Sequence, residues 1–107
     1  MPYARHYKIY LPLNHNDGAR IEPEKVNAVR DRLADKFGGA TVSALSAPYQ
    51  GPWKYGGVEY VDDIITIEVV AEDDEESRKY FANLKSQLER DLDQVAILIT
   101  THSIEVV

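Results

Sequence analysis

Apolar residues in this chain follow two alternating periods, and the order of those periods restricts the fold more than any other feature. Over residues 5–13 they recur at every second position. Tyr7, Ile9, Leu11 and Leu13 share one face, and His6, Lys8, Tyr10 and Pro12 share the other, as in a half-buried strand. Turn formers follow at Asn14, His15, Asn16, Asp17 and Gly18. Val26, Val29, Leu33 and Phe37 then recur at helical spacing, behind a first turn marked by Pro23, Glu22 and Glu24 and ahead of a Gly38-Gly39 stop. A second strand is expected over residues 40–47, a connection rich in glycine and aromatics over 48–57, and a long strand over 58–71. In that long strand Val61, Ile65, Ile67, Val69 and Ala71 share one face and Ile64, Thr66, Glu68 and Val70 the other. Asp73 and Glu76 have capping-box spacing for a second helix, with the stripe Tyr80 or Phe81, Leu84, Leu88 and Leu92. A last strand covers residues 95–103.

Strand–helix–strand–strand–helix–strand, with right-handed crossovers, predicts an α+β ferredoxin-like βαββαβ sandwich. Its antiparallel sheet has order 4-1-3-2, with two helices on one face. At 107 residues the chain is expected to be a single domain, 1–107, hiding roughly 60–65% of its unfolded surface. With no cysteine, it offers no disulfide, thiolate metal site or cysteine nucleophile. No apolar run approaches a membrane span, and Met1–His6 lacks a signal-peptide core, so a cytoplasmic, membrane-free protein is expected.

Net charge is −6, and the acid is concentrated. Residues 1–61 hold eight Lys/Arg against six Asp/Glu, and residues 62–94 hold four against eleven. That balance argues against nucleic acid, whose phosphates are bound by clustered Lys and Arg. Ile9 to Asn14 is strand-like in the manner of an RNA-recognition first motif, but residues 64–69 lack the paired aromatics of its companion. Asp73 to Glu76 lacks the spacing of a calcium loop, the Gly-Gly pairs are not phosphate loops, and no serine sits in a nucleophile elbow.

The predicted topology leaves one sheet face bare. That face carries His6, Lys8, Tyr10, Ile64, Thr66, Glu68, Val70, Leu98, Thr100 and His102, with His6, Glu68 and His102 converging near one corner. These three are the candidate catalytic residues, as a general acid/base set. They are also the weaker candidates for a metal site; no metal and no cofactor is expected. An ordinary cross-strand Lys8–Glu68 ion pair is the competing reading. Tyr10, Ile64, Val70 and Leu98 form an apolar patch, expected to be covered by a second copy of the chain. Lys8, Tyr10 and Thr100 on this face, and Tyr49, Trp53 and Tyr55 in the 48–57 connection, are the candidate ligand-binding residues.

The run Lys36-Phe37-Gly38-Gly39-Ala40-Thr41, followed by Gly51-Pro52-Trp53 and a long strand, resembles a Phe-Gly-Gly-x-Thr and Gly-x-Trp pattern in small uncharacterised bacterial proteins. The resemblance implies a ferredoxin-like bacterial domain and transfers no catalytic residue. The expectation from sequence is a homodimeric domain without catalysis, binding a small ligand or a protein partner through its open face. The alternative is a cofactor-free enzyme of the dimeric α/β-barrel type, using a histidine as acid/base.

Overall fold

The computed structural model describes residues 3–15, 17–43, 47–94 and 96–107. In chain order the elements are β1 (Tyr3–Pro12), α1 (Pro23–Phe37), β2 (Thr41–Val42), β3 (Tyr49–Tyr55), β4 (Val58–Ala71), α2 (Glu75–Asp91) and β5 (Leu98–Glu105). The expected four-stranded ferredoxin-like sheet of order 4-1-3-2 is corrected. The sheet has five strands along the path β2-β4-β1-β5, with β3 also paired to β4.

The cause lies in Gly56 and Gly57, whose φ values of 60° and 79° are left-handed. Two consecutive left-handed residues make the tight turn that joins antiparallel strands without splaying them. The 48–57 segment is therefore not a loop: Tyr49 to Tyr55 folds back on β4 in the register Tyr49↔Ile64 to Tyr55↔Val58. Pro52 is tolerated within it because β3 is an edge strand. The expected second strand is described only as Thr41–Val42, paired to Glu68 and Ile67; Ala44, Leu45 and Ser46 lie outside the described residues. Ser43 extends the contact by exchanging hydrogen bonds with Thr66, its N–H donating to the Thr66 carbonyl and its Oγ accepting from the Thr66 N–H.

β1 lies between β4 and β5, antiparallel to both. Tyr7, Ile9 and Leu11 from β1 and Ile65, Ile67 and Val69 from β4 join Val26, Val29 and Leu33 of α1 and Phe81, Leu84 and Leu88 of α2 in one buried cluster. Both helices thus cover the same sheet face. α1 starts on Pro23 and is closed by Gly38 at φ 86°. α2 is capped by Asp74, not by the expected Asp73: the Asp74 carboxylate accepts the Ser77 N–H at 2.8 Å. Asp73 instead accepts hydrogen bonds from Arg5 at 3.0 Å and Arg78 at 2.8 Å, tying α2 to β1. No helix among the described residues is long and apolar enough to cross a membrane.

Candidate functional site

Register fixes what stands beside what on the bare face. His6 is opposite His102 on β5 and Val70 on β4. Lys8 is opposite Thr100 and Glu68, Tyr10 is opposite Leu98 and Thr66, and Pro12 is opposite Ile64. The structure thus brings His6, Glu68 and His102 to one corner. His6 Nε2 donates to Glu68 Oε1 at 3.0 Å, and the two imidazole rings stand 4.9 Å apart at 40°. The other ring nitrogen of His6, Nδ1, is buried without a hydrogen-bond partner. Among the described residues no group of His, Cys, Asp and Glu has the arrangement of a metal site.

Lys8 does not pair with the Glu68 opposite it. Its ammonium leans the other way, 5.3 Å from the centre of the Tyr10 ring. Glu68 is held by His6 instead, so two opposite charges on one cross-strand pair point apart. Thr100 is exposed beside Lys8. Val70 and Leu98 are 45% and 57% exposed, while Thr66 is buried between strands.

Past Tyr10 the face deepens into a cavity of about 450 Å³. Tyr10 and Pro12 of β1, Ile64 of β4 and Leu98 and Ile99 of β5 line it with apolar groups, and Gly51 and Pro52 of β3 close one side. The long β4 makes this closure possible, because its first half leaves β1 behind and carries β3. Gly51 has a steric duty here: a Cβ at that position would collide with Ile64 Cδ1. Polar groups enter at Asp62, Lys85 and Gln94. Lys85 donates to Glu89 Oε2 and to the Ile97 carbonyl. Glu89 also accepts the Ile97 N–H, and these donors, Lys85 first, hold its carboxyl below the ordinary range. Gln94 spends its amide hydrogens on the carbonyls of Asn14 and Leu92.

Of the residues chosen from sequence, Tyr10 lines this cavity and Lys8 stands at its rim. Thr100 adjoins Lys8, and the histidine corner lies a further strand step away. Tyr49 is exposed next to Ile64, on a strand rather than a loop; the side chains of Trp53 and Tyr55 lie outside the described residues. Asp62, Gly51, Pro52, Lys85 and Gln94 were not legible as site residues. The one available signal was the Tyr55-Gly56-Gly57-Val58 hairpin turn, which folds Gly51 and Pro52 over the sheet.

No family model matches the chain, and no curated protein matches it. Among solved structures, a phage SAM lyase in complex with S-methyl-5'-thioadenosine is similar in fold, with a TM-score of 0.67 and 15% identity over 96% of this chain and 90% of that one. At that identity the likeness is one of fold. It corrects the expectation of a domain without catalysis, because the protein that shares this scaffold over 96% of the chain is an enzyme.

Proposed function

We propose that this protein is an enzyme that binds S-adenosylmethionine in the 450 Å³ cavity and breaks a carbon–sulfur bond, releasing S-methyl-5'-thioadenosine. The observation that carries the reading is the chain-long likeness to a SAM lyase holding that nucleoside.

The cavity's chemistry supports it. Its volume falls within the roughly 300–1,000 Å³ of small-molecule sites. Tyr10, Pro12, Ile64 and Leu98 give a purine flat apolar walls, and the Tyr10 ring already holds a cation, Lys8, near its face. Asp62 in the wall and the net charge of −6 suit a positively charged substrate. A sulfonium carries its charge on the sulfur that leaves. When the carbon–sulfur bond to the amino-acid chain breaks, sulfur keeps the bonding pair and becomes a neutral thioether. The carbon it leaves gains a bond from the substrate's own carboxylate oxygen, closing a lactone as the second product. An apolar lining solvates the sulfonium poorly and the thioether well, so it favours a transition state in which that charge is fading.

The test is incubation of the purified protein with S-adenosylmethionine, with S-methyl-5'-thioadenosine followed by chromatography and mass spectrometry, beside calorimetric binding of the nucleoside itself. Leu98→Asp, at an exposed wall position, is expected to suppress both. Neither product nor binding in the unaltered protein would sink the reading.

A further inference from the structure

The bare face beyond the cavity holds a pair of charges that do not neutralise each other, although their strand positions would let them. Lys8 and Glu68 are direct cross-strand neighbours, a placement that brings Cβ atoms within about 5 Å. Yet Glu68 Oε1 accepts from His6 at 3.0 Å, and the Lys8 ammonium sits over Tyr10. Among the described residues no carboxylate pairs with Lys8, whereas Lys85, the other lysine at the cavity, is tied to Glu89 and the Ile97 carbonyl. Glu68 Oε2 makes no hydrogen bond among the described residues, and the Glu68 side chain is 41% exposed. A cation and an anion facing solvent side by side, each held off the other, are complementary to a zwitterion.

Position makes the zwitterion specific. Lys8 is one same-face step along β1 from Tyr10, about 6.6 Å, and its ammonium leans toward the cavity. A ligand with its nucleoside between Tyr10, Ile64 and Leu98 and a short chain leaving toward β1's start would carry the chain's end over Lys8, Thr100 and Glu68. We propose that Lys8 and Glu68 form a subsite for an α-amino acid group, Lys8 binding its carboxylate and Glu68 its ammonium. Thr100 Oγ1 lies beside Lys8 as a further hydrogen-bonding group. His6 is the positioning residue, because its hydrogen bond turns Glu68 away from Lys8. The subsite rests on the reading of the cavity as a nucleoside site. It separates the full substrate, which carries the amino acid, from the released thioether, which does not, and so favours product departure.

Two thioethers that undergo no turnover isolate the subsite: S-adenosylhomocysteine, which carries the amino acid, and S-methyl-5'-thioadenosine, which lacks it. Calorimetry on the unaltered protein is expected to give S-adenosylhomocysteine the tighter binding by roughly tenfold or more, the scale of one or two charge-assisted hydrogen bonds. Lys8→Met and Glu68→Gln are each expected to weaken it about tenfold and to leave S-methyl-5'-thioadenosine within about twofold. Lys8→Arg is expected to restore most of the preference, and unchanged melting curves would exclude misfolding as the cause. Equal affinities for the two probes, or equal losses for both in the variants, would overturn the subsite while the nucleoside site stands. Failure of the unaltered protein to bind either probe would overturn both.

Discussion

Replacing Tyr7 with phenylalanine is expected to stabilise this protein. The Tyr7 ring is buried in the core, 2% exposed, and stacks on Phe81 with centroids 3.8 Å apart and planes 10° from parallel. Its hydroxyl is enclosed with no well-formed hydrogen bond: the Thr101 hydroxyl stands near enough to pull on its titration but not in bonding geometry. Phenylalanine keeps the stack and removes only the oxygen. Leaving a buried hydroxyl unsatisfied costs about 1–3 kcal/mol. The void left by one oxygen, about 12 Å³, costs only about 0.3 kcal/mol at about 24 cal/mol per Å³. The difference favours the variant by about 0.7–2.7 kcal/mol, or about 3–12 °C in Tm for a domain of this size.

Alkaline titration gives a second signature. Burial pushes the Tyr7 phenol above its ordinary value of 10.0, against the smaller opposing pulls of Arg5 and Thr101. The folded state therefore keeps its proton where the unfolded chain has lost it. That contribution is fully present below pH 10 and declines as pH rises toward the folded pKa. Tyr7→Phe should lose that part of the alkaline decline. Scanning calorimetry at neutral pH and at a series of values above 10 measures both effects. A lower Tm for Tyr7→Phe would refute the reasoning, since it would mean that the hydroxyl is satisfied, with Thr101 as its partner. The double variant with Thr101→Val would locate the lost bond.

At the acid end, Arg5 (foremost) and Arg78 hold the Asp73 carboxyl below its usual range, and the Ser77 N–H does the same for Asp74. Depressed folded pKa values mean stability that is present above the ordinary value of 3.8 and lost as pH falls through the folded values. Asp74→Ala should therefore lower Tm at neutral pH and flatten the acid limb, and a variant melting like the unaltered protein at both ends would refute the cap's role. Gly51→Val should disturb the cavity wall by driving a side chain into Ile64. Nucleoside binding should weaken at least tenfold with only a small change in melting, and unchanged binding would show that β3 does not shape the site. We also propose that a second copy meets the Val70 end of the bare face and leaves the cavity beside Leu98 open. Light scattering at high concentration should then report a dimer that Val70→Glu dissociates, and a monomer throughout would refute it.

Sequence periodicity exposed the helices because their stripes are unbroken, from Val26 to Phe37 and from Phe81 to Leu92. It also separated the two faces of β1 and β4 where burial alternates, over Tyr7–Leu11 and Ile67–Ala71, whereas β5 is exposed along most of its length. The hairpin escaped because Tyr49, Gly51, Trp53 and Tyr55 alternate with Gln50, Pro52 and Lys54, a pattern with neither a buried aliphatic face nor an obvious break. Only the left-handed Gly56-Gly57 pair betrays the return. The cavity escaped with it, since its wall needs Gly51 and Pro52 folded over Ile64 and no local pattern links residues so far apart. The cap moved by one residue for a different reason. Asp73 and Asp74 are chemically equivalent in sequence, and the choice between them is made by Arg5, 68 positions away.

The 14-residue β4 divides its length between two tasks. Its second half is bound into the buried cluster through Ile65, Ile67 and Val69, while its first half is held to β3 and is not paired to β1. The strand behaves as a cantilever, with an anchored root and a free span. Asp63 marks where the span joins the rest of the fold, accepting the Leu13 N–H and a hydrogen bond from Arg20, so residues 49–62 are the part of this architecture on which selection, or an engineer, is free to resize the pocket. Small scaffolds seldom tolerate change beside their binding sites, because site and core compete for the same residues. Here one long strand assigns the two tasks to different halves of itself.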